Sequence, residues 1–368
     1  MYKKFGDVKI PYYLKKDCSN NPKHIWDILT MNTIYKLFKQ KEYICNMSKY
    51  VSCGGYHTGD ILINNKLFMF GNNYHGQLGT GDKQDKYIPT EIMNDIRYVS
   101  CGREHTGVIT TDNKLFMFGS NNQGQLGIGN DNRNTLTFVV GDINYGNENR
   151  NIPTFVMNNV KHVSCGRHHT GVITTDNKLF MFGSNGWYQL GTEDSINRSE
   201  PTCIMNNVRY VSCGVYRTGI ITTDNKLFMF GCNEYGQLGI GKKDIIVMRP
   251  TLVMDNVKYV SCGAYHTGVI TTDNKLFMFG SNDLGQLGTG DTSERLVTTN
   301  VMNDIRYVSC GWGHTGVITI NNMLFMFGSN KHGQLGTGDT QKRLKPTYVM
   351  NDVRYVSCGG LITKIISK

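Results

Sequence analysis

The stretch YVSCGAYHTGVITTDNKLFMFGSNDLGQLGTGD, residues 259–291, decides the fold because close copies of it follow one another along the chain. Its VSCG tetrapeptide begins at seven positions: Val51, Val99, Val163, Val211, Val260, Val308 and Val356. The spacings between them are 48, 64, 48, 49, 48 and 48 residues. A fixed period of this length is typical of repeat architectures, and the long spacing marks one insertion of about 16 residues.

Each unit contains four β-rich runs. RYVSC is a short apolar run, HTGVITT alternates, KLFMFG is a third run, and a fourth such as TYVMN at Thr347–Asn351 precedes the next unit. The DN-K turn carries an Asn that tolerates positive φ, as a tight hairpin requires. The pattern predicts a four-stranded antiparallel blade. One such sheet cannot bury both faces alone, so we expect the blades to stack face to face in a closed ring.

The two chain ends predict one further blade beyond the six complete units. The C-terminal VSCGGLITKIISK aligns on the first two strands of a unit, and KEYICNMSKYVSCG near the N-terminus aligns on an outer strand and the start of the next unit. The sequence therefore predicts an all-β, seven-bladed β-propeller over residues 33–368. Its last blade is closed by both termini, from about 33–47, with Thr33–Phe38 as its third strand, plus 352–368. Residues 1–32 are predicted to form an N-terminal arm or short helix, since Asn21-Pro22 is typical of a helix start.

Composition narrows the class of protein. Lys and Arg number 39 against 29 Asp and Glu, a formal charge of +10, which favours anionic partners such as nucleic acid. The basic residues are scattered along the chain, however, and form no run of like charge. Neither a signal peptide nor a membrane span of about 18 apolar residues is present, so we expect a soluble intracellular protein, with nucleus or cytoplasm left open.

The repeated histidines, cysteines and glycine-rich segments could suggest catalysis, metal binding or phosphate binding, but structural roles explain them better. The repeated histidine (His57, His105, His169, His266, His314) is interpreted as hydrogen-bonding backbone at a fixed turn, because nothing in its spacing resembles a zinc motif. Seven of the eleven cysteines occupy VSCG, which indicates packing rather than disulfides or a metal ring. GQLGTGD lacks the GK[ST] ending of a phosphate-binding loop. We therefore expect no catalytic residue, metal or cofactor, and no enzyme.

The combination of VSCGxxH, a strand ending in FGSN, and GQLGTGD resembles the repeats of the regulator of chromosome condensation family, from Ser48 to the C-terminus. The resemblance implies a seven-bladed propeller. Two features depart from it: Ile362 stands at the histidine position of the last blade, and the place two residues after the histidine, usually apolar in the family, is glycine here. Members act as exchange factors for the small GTPase Ran, ultraviolet-B photoreceptors, arms of ubiquitin ligases and bacterial inhibitors, so the resemblance leaves function open.

Positions that differ between near-identical blades are the ones that can recognise a specific partner. The strand order predicts that the CGxxH connections and the long loops after the third strands share one face, with the DN turns opposite. Tyr, Trp and Arg are enriched at interface hot spots. The predicted partner-binding residues within the repeats are Arg103, Glu104, Arg167, His168, Trp187, Tyr216, Arg217, Tyr265 and Trp312.

The insertion at 135–151 reads as a β-ribbon with a polar tip on the same face. The family resemblance implies an analogue of the β-wedge with which the exchange factor for Ran helps to expel nucleotide. Asp142, Asn144, Tyr145 and Asn147 are therefore added to the predicted partner-binding residues.

Three hypotheses of function follow. The first is a monomeric, non-catalytic protein-interaction scaffold that binds a partner through the variable face and the 135–151 insertion. The second is a guanine-nucleotide exchange factor for a Ran-like small GTPase, and the third is association with chromatin or DNA through a basic surface. Light sensing is disfavoured because the chain has three tryptophans, Trp26, Trp187 and Trp312, whereas the similar plant photoreceptor depends on clustered ones. Ubiquitin ligation by the chain itself is excluded, since no catalytic domain is left outside the ring.

Overall fold

A computed structural model describes residues 48–129, 149–243 and 246–367. These residues belong to one compact unit, Met47–Lys368. They form six four-stranded antiparallel sheets and one two-stranded sheet, and the strands of every sheet lie in chain order. Among the described residues, no helix is long and apolar enough to cross a membrane.

The strands of the six blades have nearly equal lengths. The first three blades are β1 Ser48–Cys53, β2 His57–Leu62, β3 Leu67–Gly71, β4 Lys86–Met93; β5 Ile96–Cys101, β6 His105–Thr110, β7 Leu115–Gly119, β8 Arg150–Met157; and β9 Val160–Cys165, β10 His169–Thr174, β11 Leu179–Gly183, β12 Arg198–Met205. The next three are β13 Val208–Cys213, β14 Arg217–Thr222, β15 Leu227–Cys232, β16 Ile246–Met254; β17 Val257–Cys262, β18 His266–Thr271, β19 Leu276–Gly280, β20 Arg295–Met302; and β21 Ile305–Cys310, β22 His314–Thr319, β23 Leu324–Gly328, β24 Arg343–Met350. The two-stranded sheet is β25 Val353–Cys358 and β26 Thr363–Ser367.

The predicted DN turn joins the second and third strands of a blade. In the second blade, Asn113 has φ 64°, a conformation that asparagine tolerates better than most residues. The N–H of Asn113 donates to the carbonyl of Thr110, and the Thr110 hydroxyl accepts the N–H of Lys114 at 3.0 Å. The turn thus satisfies its own backbone groups and fixes the register of the hairpin.

The hydrophobic cores lie between blades rather than within them. Leu67 and Met69 on β3 of the first blade pack with Val99 on β5 and Phe118 on β7 of the second, and all four side chains are fully buried. The same arrangement recurs along the chain. Burying one such side chain contributes about 1.5–3 kcal/mol, so each blade depends on its neighbour for much of its stability.

A ring of hydrogen bonds runs around the axis through the VSCG tetrapeptides. In each case the serine hydroxyl accepts the N–H of the next blade's cysteine, as from Cys101 N to Ser52 Oγ at 2.9 Å. Five further bonds of 2.9 Å lead round to β25. The seventh joins Cys53 N to Ser357 Oγ, also at 2.9 Å, and so closes the circle of first strands. The VSCG serine is therefore a blade-to-blade acceptor.

The seventh sheet differs from the prediction in its strand number. Seven four-stranded blades were expected, whereas the described residues form six and a sheet of two strands. The C-terminal segment supplies β25 and β26 alone, because 352–367 holds only two strands of the repeat. Residues 33–47, predicted to supply the other two, lie outside the described residues, as do residues 1–32. Closure of the last blade by both termini stays a prediction.

The glycine two places after the repeated histidine has a packing reason. A Cβ at Gly107 would lie 2.8 Å from Met117 Sδ and 3.0 Å from Val163 Cγ2 of the next blade. Such distances are shorter than van der Waals contact, so a side chain there would push the two blades apart. The departure from the family pattern thus matches the methionine and valine that fill this seam.

Candidate functional site

The variable connections of the blades meet on one face of the ring. The N–H of Ser120, at the start of the loop after β7, donates to the carbonyl of Glu104 in the CGxxH connection at 2.8 Å. CGxxH connections of successive blades also bond to one another, as from Arg103 N to Gly166 O at 3.2 Å. We call the exposed and half-buried residues of these connections the variable rim: Tyr56, His75, Arg103, Glu104, Arg167, His168, Trp187, Tyr216, Tyr235, Tyr265 and Trp312.

A cavity of about 390 Å³ opens at the centre of the variable rim. Its wall is formed by the seven VSCG cysteines and the glycines that follow them. Its mouth is lined by Tyr56, Arg103, Arg167, Tyr265 and Trp312. The cysteines are buried, and burial raises the pKa of the Cys53 thiol to about 11, so the wall is neutral at physiological pH. The charge of the cavity therefore comes from its mouth.

The second, third and fourth blades give the rim a basic half. Arg103 Nε lies 3.4 Å from Glu104 Oε1, and Glu104 Oε2 lies 3.6 Å from His75 Nε2. Arg103 and Arg167 carry two positive charges against the single carboxylate of Glu104, so this half of the rim is positive.

A second basic cluster completes that half of the rim. Arg167 donates hydrogen bonds to the Tyr216 hydroxyl and to His168 Nε2, and its guanidinium lies 5.0 Å from the centre of the Tyr216 ring. Trp187 packs on the other side of Tyr216 with ring centres 5.6 Å apart. Burial, aided by Arg167, lowers the pKa of His168 to about 4, so the histidine accepts from the arginine as a neutral ring.

The fourth to sixth blades and the first give the rim an aromatic half. Trp312 and Tyr56 meet edge to face with ring centres 5.6 Å apart, across the seam where the ring closes. Tyr265 and Tyr235 meet in the same way at 5.4 Å. Tyr56 and Tyr265 are exposed, at 45% and 42% of their surface. These rings offer preformed apolar contact area at low entropic cost.

Arg217 does not belong to the exposed surface. Its side chain is 1% exposed and takes the place of the repeated histidine, where it donates to the carbonyls of Ala264 at 2.7 Å and His266 at 2.5 Å and to Thr267 Oγ1 at 3.2 Å. Burial lowers the pKa of its guanidinium. The sequence could not reveal this, because the acceptors lie on the next blade, about 50 residues away in the chain.

The repeated histidine joins blades through a threonine side chain of the next blade, which in turn donates to backbone. His169 Nε2 lies 3.0 Å from Thr218 Oγ1 of the next blade, and Thr218 donates its proton to the carbonyl of Gln189 at 2.7 Å. Nε2 must therefore carry the histidine's proton, which leaves Nδ1 buried without a partner. Burial lowers the pKa of His169 to about 3, so the ring is a neutral structural donor.

The backbone amides of the GQLG turns already have hydrogen-bond acceptors within the same loop. Gln77 Oε1 accepts the N–H of His75 at 2.9 Å, and Asn73 Oδ1 accepts the N–H of Leu78 at 2.9 Å. Gly76 has φ +79°, and a Cβ there would lie 2.7 Å from Asn151 Cα of the next blade. Because these amides already have acceptors, the turn serves blade contact and offers no phosphate cradle.

The remaining predicted site residues lie in the insertion. Asp142, Asn144, Tyr145 and Asn147 are outside the described residues. The C-terminal end of the insertion contacts two blades: Asn149 Oδ1 accepts the N–H of Asn121 of the second blade at 2.9 Å, and Asn151 Nδ2 donates to the carbonyl of Gly81 of the first at 2.8 Å. Within the described ranges, no group of three or more His, Cys, Asp or Glu side chains is placed to hold a metal ion.

One feature at the other end of the axis was missed by the sequence analysis. The residue before each VSC forms a closed aromatic ring, here called the tyrosine ring, with neighbouring ring centres 4.6–5.2 Å apart: Tyr50, Tyr98, His162, Tyr210, Tyr259, Tyr307 and Tyr355. The residue before that is basic in all seven units. Both patterns are visible only when the repeats are aligned and read down a column, because along the chain their members are 48 to 64 residues apart.

The protein is a β-propeller built from repeats: six four-stranded blades surround an axis that has a cavity at one end and the tyrosine ring at the other. The RCC1-like domain matches residues 140–365, and the regulator of chromosome condensation (RCC1) repeat matches residues 64–109 and 96–125. The chain belongs to the RCC1-like propeller family.

Curated relatives resemble part of the chain. It is similar to the X-linked retinitis pigmentosa GTPase regulator of Mus musculus, with 34% identity over 165 residues, which are 44% of this chain and 15% of the mouse protein. The protein of the same name from Canis lupus familiaris is 33% identical over 151 residues, 40% of this chain and 14% of the dog protein. The matched part is thus a small fraction of these longer relatives.

Solved structures share the fold over most of the chain. Human WBSCR16 has a TM-score of 0.72 and 22% identity, covering 86% of this chain and 85% of that one. Prp20p from Saccharomyces cerevisiae, described with its binding properties to Gsp1p and histones, has a TM-score of 0.73 and 18% identity, covering 86% of this chain and 82% of that one. At these identities the likeness concerns the fold.

Proposed function

We propose that the protein is a non-catalytic scaffold that holds a protein partner on its variable rim, with the 135–151 insertion contributing from the same face. The observation that carries the proposal is the two-sided mouth of the axial cavity. Arg103 and Arg167 line one side, while Tyr56, Tyr265 and Trp312 line the other. Arginine and exposed aromatic rings around a concave centre are the composition of an interface hot spot. The proposal includes a monomeric chain inside the cell and a last blade completed by residues 33–47.

Quantitative affinity capture from cell lysate tests the scaffold. The rim variant Arg167→Ala/Trp312→Ala removes one anchor from each half, and we expect a specific partner to bind it at least about tenfold more weakly than wild type. The control variant Lys178→Gln/Lys275→Gln changes the opposite face, where both lysines are paired with aspartates. A set of captured proteins that is the same for wild type and the rim variant would refute a role for the rim.

The second candidate, exchange activity on a Ran-like GTPase, is favoured by the relatives named as GTPase regulators and by the fold shared with Prp20p, described as binding Gsp1p. Such a factor lowers the barrier to nucleotide release without making or breaking bonds. Labelled-nucleotide release from Ran measures it directly. We expect the full chain to accelerate nucleotide release and deletion of Asp142–Asn149 to abolish that acceleration. If release stays unchanged for every small GTPase tested, this role is excluded.

The third candidate is association with chromatin or DNA, which the formal charge of +10 and the description of Prp20p as binding histones favour. Binding through phosphates would weaken steeply with salt. Titration of the full chain into duplex DNA at several salt concentrations measures that slope. A flat salt dependence, or no complex at low salt, would exclude this role.

A further inference from the structure

The face opposite the variable rim carries a ring of positive charge around the axis. Each of the seven first strands has a basic residue directly before its member of the tyrosine ring. We call this set the cation ring: Lys49, Arg97, Lys161, Arg209, Lys258, Arg306 and Arg354. Lys49, Lys258 and Arg354 are exposed, and the other four are half-buried. The fold thus brings onto one circle seven positive charges that are scattered along the sequence.

Charge is the property that the seven positions share, whereas their hydrogen bonds differ. Arg306 reaches the next blade and donates to the carbonyl of Val353 at 2.7 Å. Lys258 stays within its own blade and donates to Asn274 Oδ1 at 2.9 Å. Lysine and arginine alternate along the first six positions, so the residue and its contacts change from blade to blade while the charge is kept.

The cation ring has no counter-charge within the described residues. None of its nitrogens lies within 4.0 Å of a carboxylate oxygen there. Asp95, Asp304 and Asp352, two residues before ring arginines, make no ion pair with them. Arg97 Nε and Arg306 Nε are buried and lack a hydrogen-bond partner. The charge of the cation ring is therefore not neutralised within the described residues.

Crowding makes this arrangement unfavourable without an anion. Burial, and secondly the charge of Arg209, lowers the pKa of Lys161. Burial also lowers the pKa of Arg97 and of Arg306. Like charges held together and partly out of water are stabilised when an anion binds between them.

The surroundings of the cation ring decide what kind of anion fits. Farther from the axis, the same face carries lysines paired with aspartates in the DN turns, such as Lys178 with Asp176 at 2.9 Å and Lys275 with Asp273 at 2.9 Å. Each such pair has no net charge. The charge that is not neutralised therefore forms a circle around the axis, which is a different shape from the track that a nucleic-acid backbone follows.

The tyrosine ring closes the axis beside this circle. Tyr307 donates its hydroxyl proton to the hydroxyl of Tyr355 at 2.7 Å. Burial raises the pKa of both tyrosines well above its ordinary value, so these hydroxyls stay protonated and can donate hydrogen bonds. The cation ring thus lies next to a closed circle of neutral rings along the first strands.

We infer that the cation ring binds one compact anion carrying several phosphate groups, seated on the axis of the propeller. Arginine and lysine donate charge-assisted hydrogen bonds to phosphate oxygens, and a molecule with phosphates on several sides can contact several blades at once. This site lies on the face opposite the proposed partner-binding rim and is independent of it.

Calorimetric titration of the full chain at about 0.15 M salt tests the inference, with inositol hexakisphosphate and inorganic tripolyphosphate as probes. We expect one equivalent to bind and to raise the thermal midpoint of unfolding. Lys161→Gln/Lys258→Gln should weaken binding by about tenfold or more, because it removes two unpaired charges but no contact between blades. The matched control Lys178→Gln/Lys275→Gln removes the same charge from the same two blades and should change affinity by less than about threefold.

Three outcomes would overturn the inference. One is the absence of heat and of thermal stabilisation with either probe. Another is an equal loss of affinity in the two lysine variants, which would show a general charge effect. The third is tighter binding of duplex DNA, with affinity that grows with duplex length and displaces the small anions, which would assign the surface to nucleic acid. Circular dichroism of both variants establishes that they are folded before binding is measured.

Discussion

Six of the seven contacts between successive blades are built alike, and the one that closes the ring is different. In the six, a glycine such as Gly107 lets Met117 of its own blade and Val163 of the next pack closely. In the closing contact, between β25–β26 and β1–β2, Lys364 stands at the glycine position opposite Ser357, and Asp60 replaces the usual valine of the second strand. Ser48 Oγ donates to Asp60 Oδ2 at 2.8 Å.

The difference teaches how near-identical repeats find one closure. Apolar contacts that are all alike do not distinguish one neighbouring blade from another. A polar contact such as that of Asp60 is satisfied only by its own partner, whereas the bond from Arg354 to the carbonyl of Ser48 at 2.6 Å repeats the one that Arg306 makes to the carbonyl of Val353. Charged groups at a single contact specify register, often at some cost in stability.

The largest expected difference between the repeated contacts and the closing contact is in how their contribution to stability changes with pH. Burial lowers the pKa of His57, His169 and His266 to about 3, against about 6.5 in an unfolded chain. The unfolded chain therefore binds more protons between these values, and stability present above pH 6.5 is lost as pH falls toward 3. We expect the free energy of unfolding to fall by up to about 1.4 kcal/mol per pH unit for each such histidine, measured by urea unfolding from pH 7.5 to 4.

The stability contributed by the closing contact changes with pH in the opposite direction. Burial raises the pKa of Asp60 to about 6, so its contribution to stability is greatest at low pH and is lost as pH rises from about 4 to 6. Asp60→Asn should therefore steepen the loss of stability on acidification. An acid profile that is flat in wild type, or unchanged in Asp60→Asn, would contradict this account of the contacts.

Adding one methyl group tests the close approach in a repeated contact. Gly107→Ala places a carbon 2.8 Å from Met117 Sδ and 3.0 Å from Val163 Cγ2 of the next blade, and we expect a loss of about 1–3 kcal/mol in the free energy of unfolding, since both side chains must shift. Gly186 is the control, because a Cβ there meets nothing within 4 Å. Equal urea midpoints for Gly107→Ala and Gly186→Ala would show that the contact is loose.

Lys364 lies close enough to Asp60 to lower its pKa electrostatically, against the larger effect of burial, and a double-mutant cycle tests whether the two side chains interact. Asp60→Val leaves Lys364 without the carboxylate, Lys364→Gly leaves Asp60 without the ammonium, and the double variant recreates the repeated apolar contact. We expect each single change to destabilise the fold by about 1–2 kcal/mol and the double variant to recover at least the wild-type value. Additive losses in urea unfolding would mean that the two side chains do not interact.

The smallest expected effect concerns the one repeated contact that has an arginine. Arg217→His should recreate the bond to the neighbouring threonine, here Thr267, and remove a buried charge that has no carboxylate partner among the described residues. We expect a gain of about 1 kcal/mol in thermal or urea unfolding. A loss of that size would show that its bonds to Ala264 and His266 outweigh the cost of burying the charge.

The sequence predicted what lies within a repeat and missed what arises between repeats. The strands, the Asn turn and the packing role of cysteine follow from short patterns of one unit. Arg217 was taken for a surface residue because its acceptors are on another blade. The cation ring escaped notice because its members, such as Lys258 and Arg306, are 48 residues apart in the chain. The placement of rim residues such as Trp312 could be inferred from alternation of strands, but their pairing, as with Tyr56, needed coordinates.

The sharing of each hydrophobic core by two blades restricts how this protein can evolve. Coding sequences with near-verbatim repeats are open to unequal crossing-over, which adds or deletes whole units. Losing one unit would make its two neighbours adjacent, and because fewer blades must then fill the circle, the angle at which each shared core and each serine–cysteine bond forms would change. Inheritance therefore tolerates changes inside a unit, such as the exchange of lysine for arginine, far more readily than a change in the number of units.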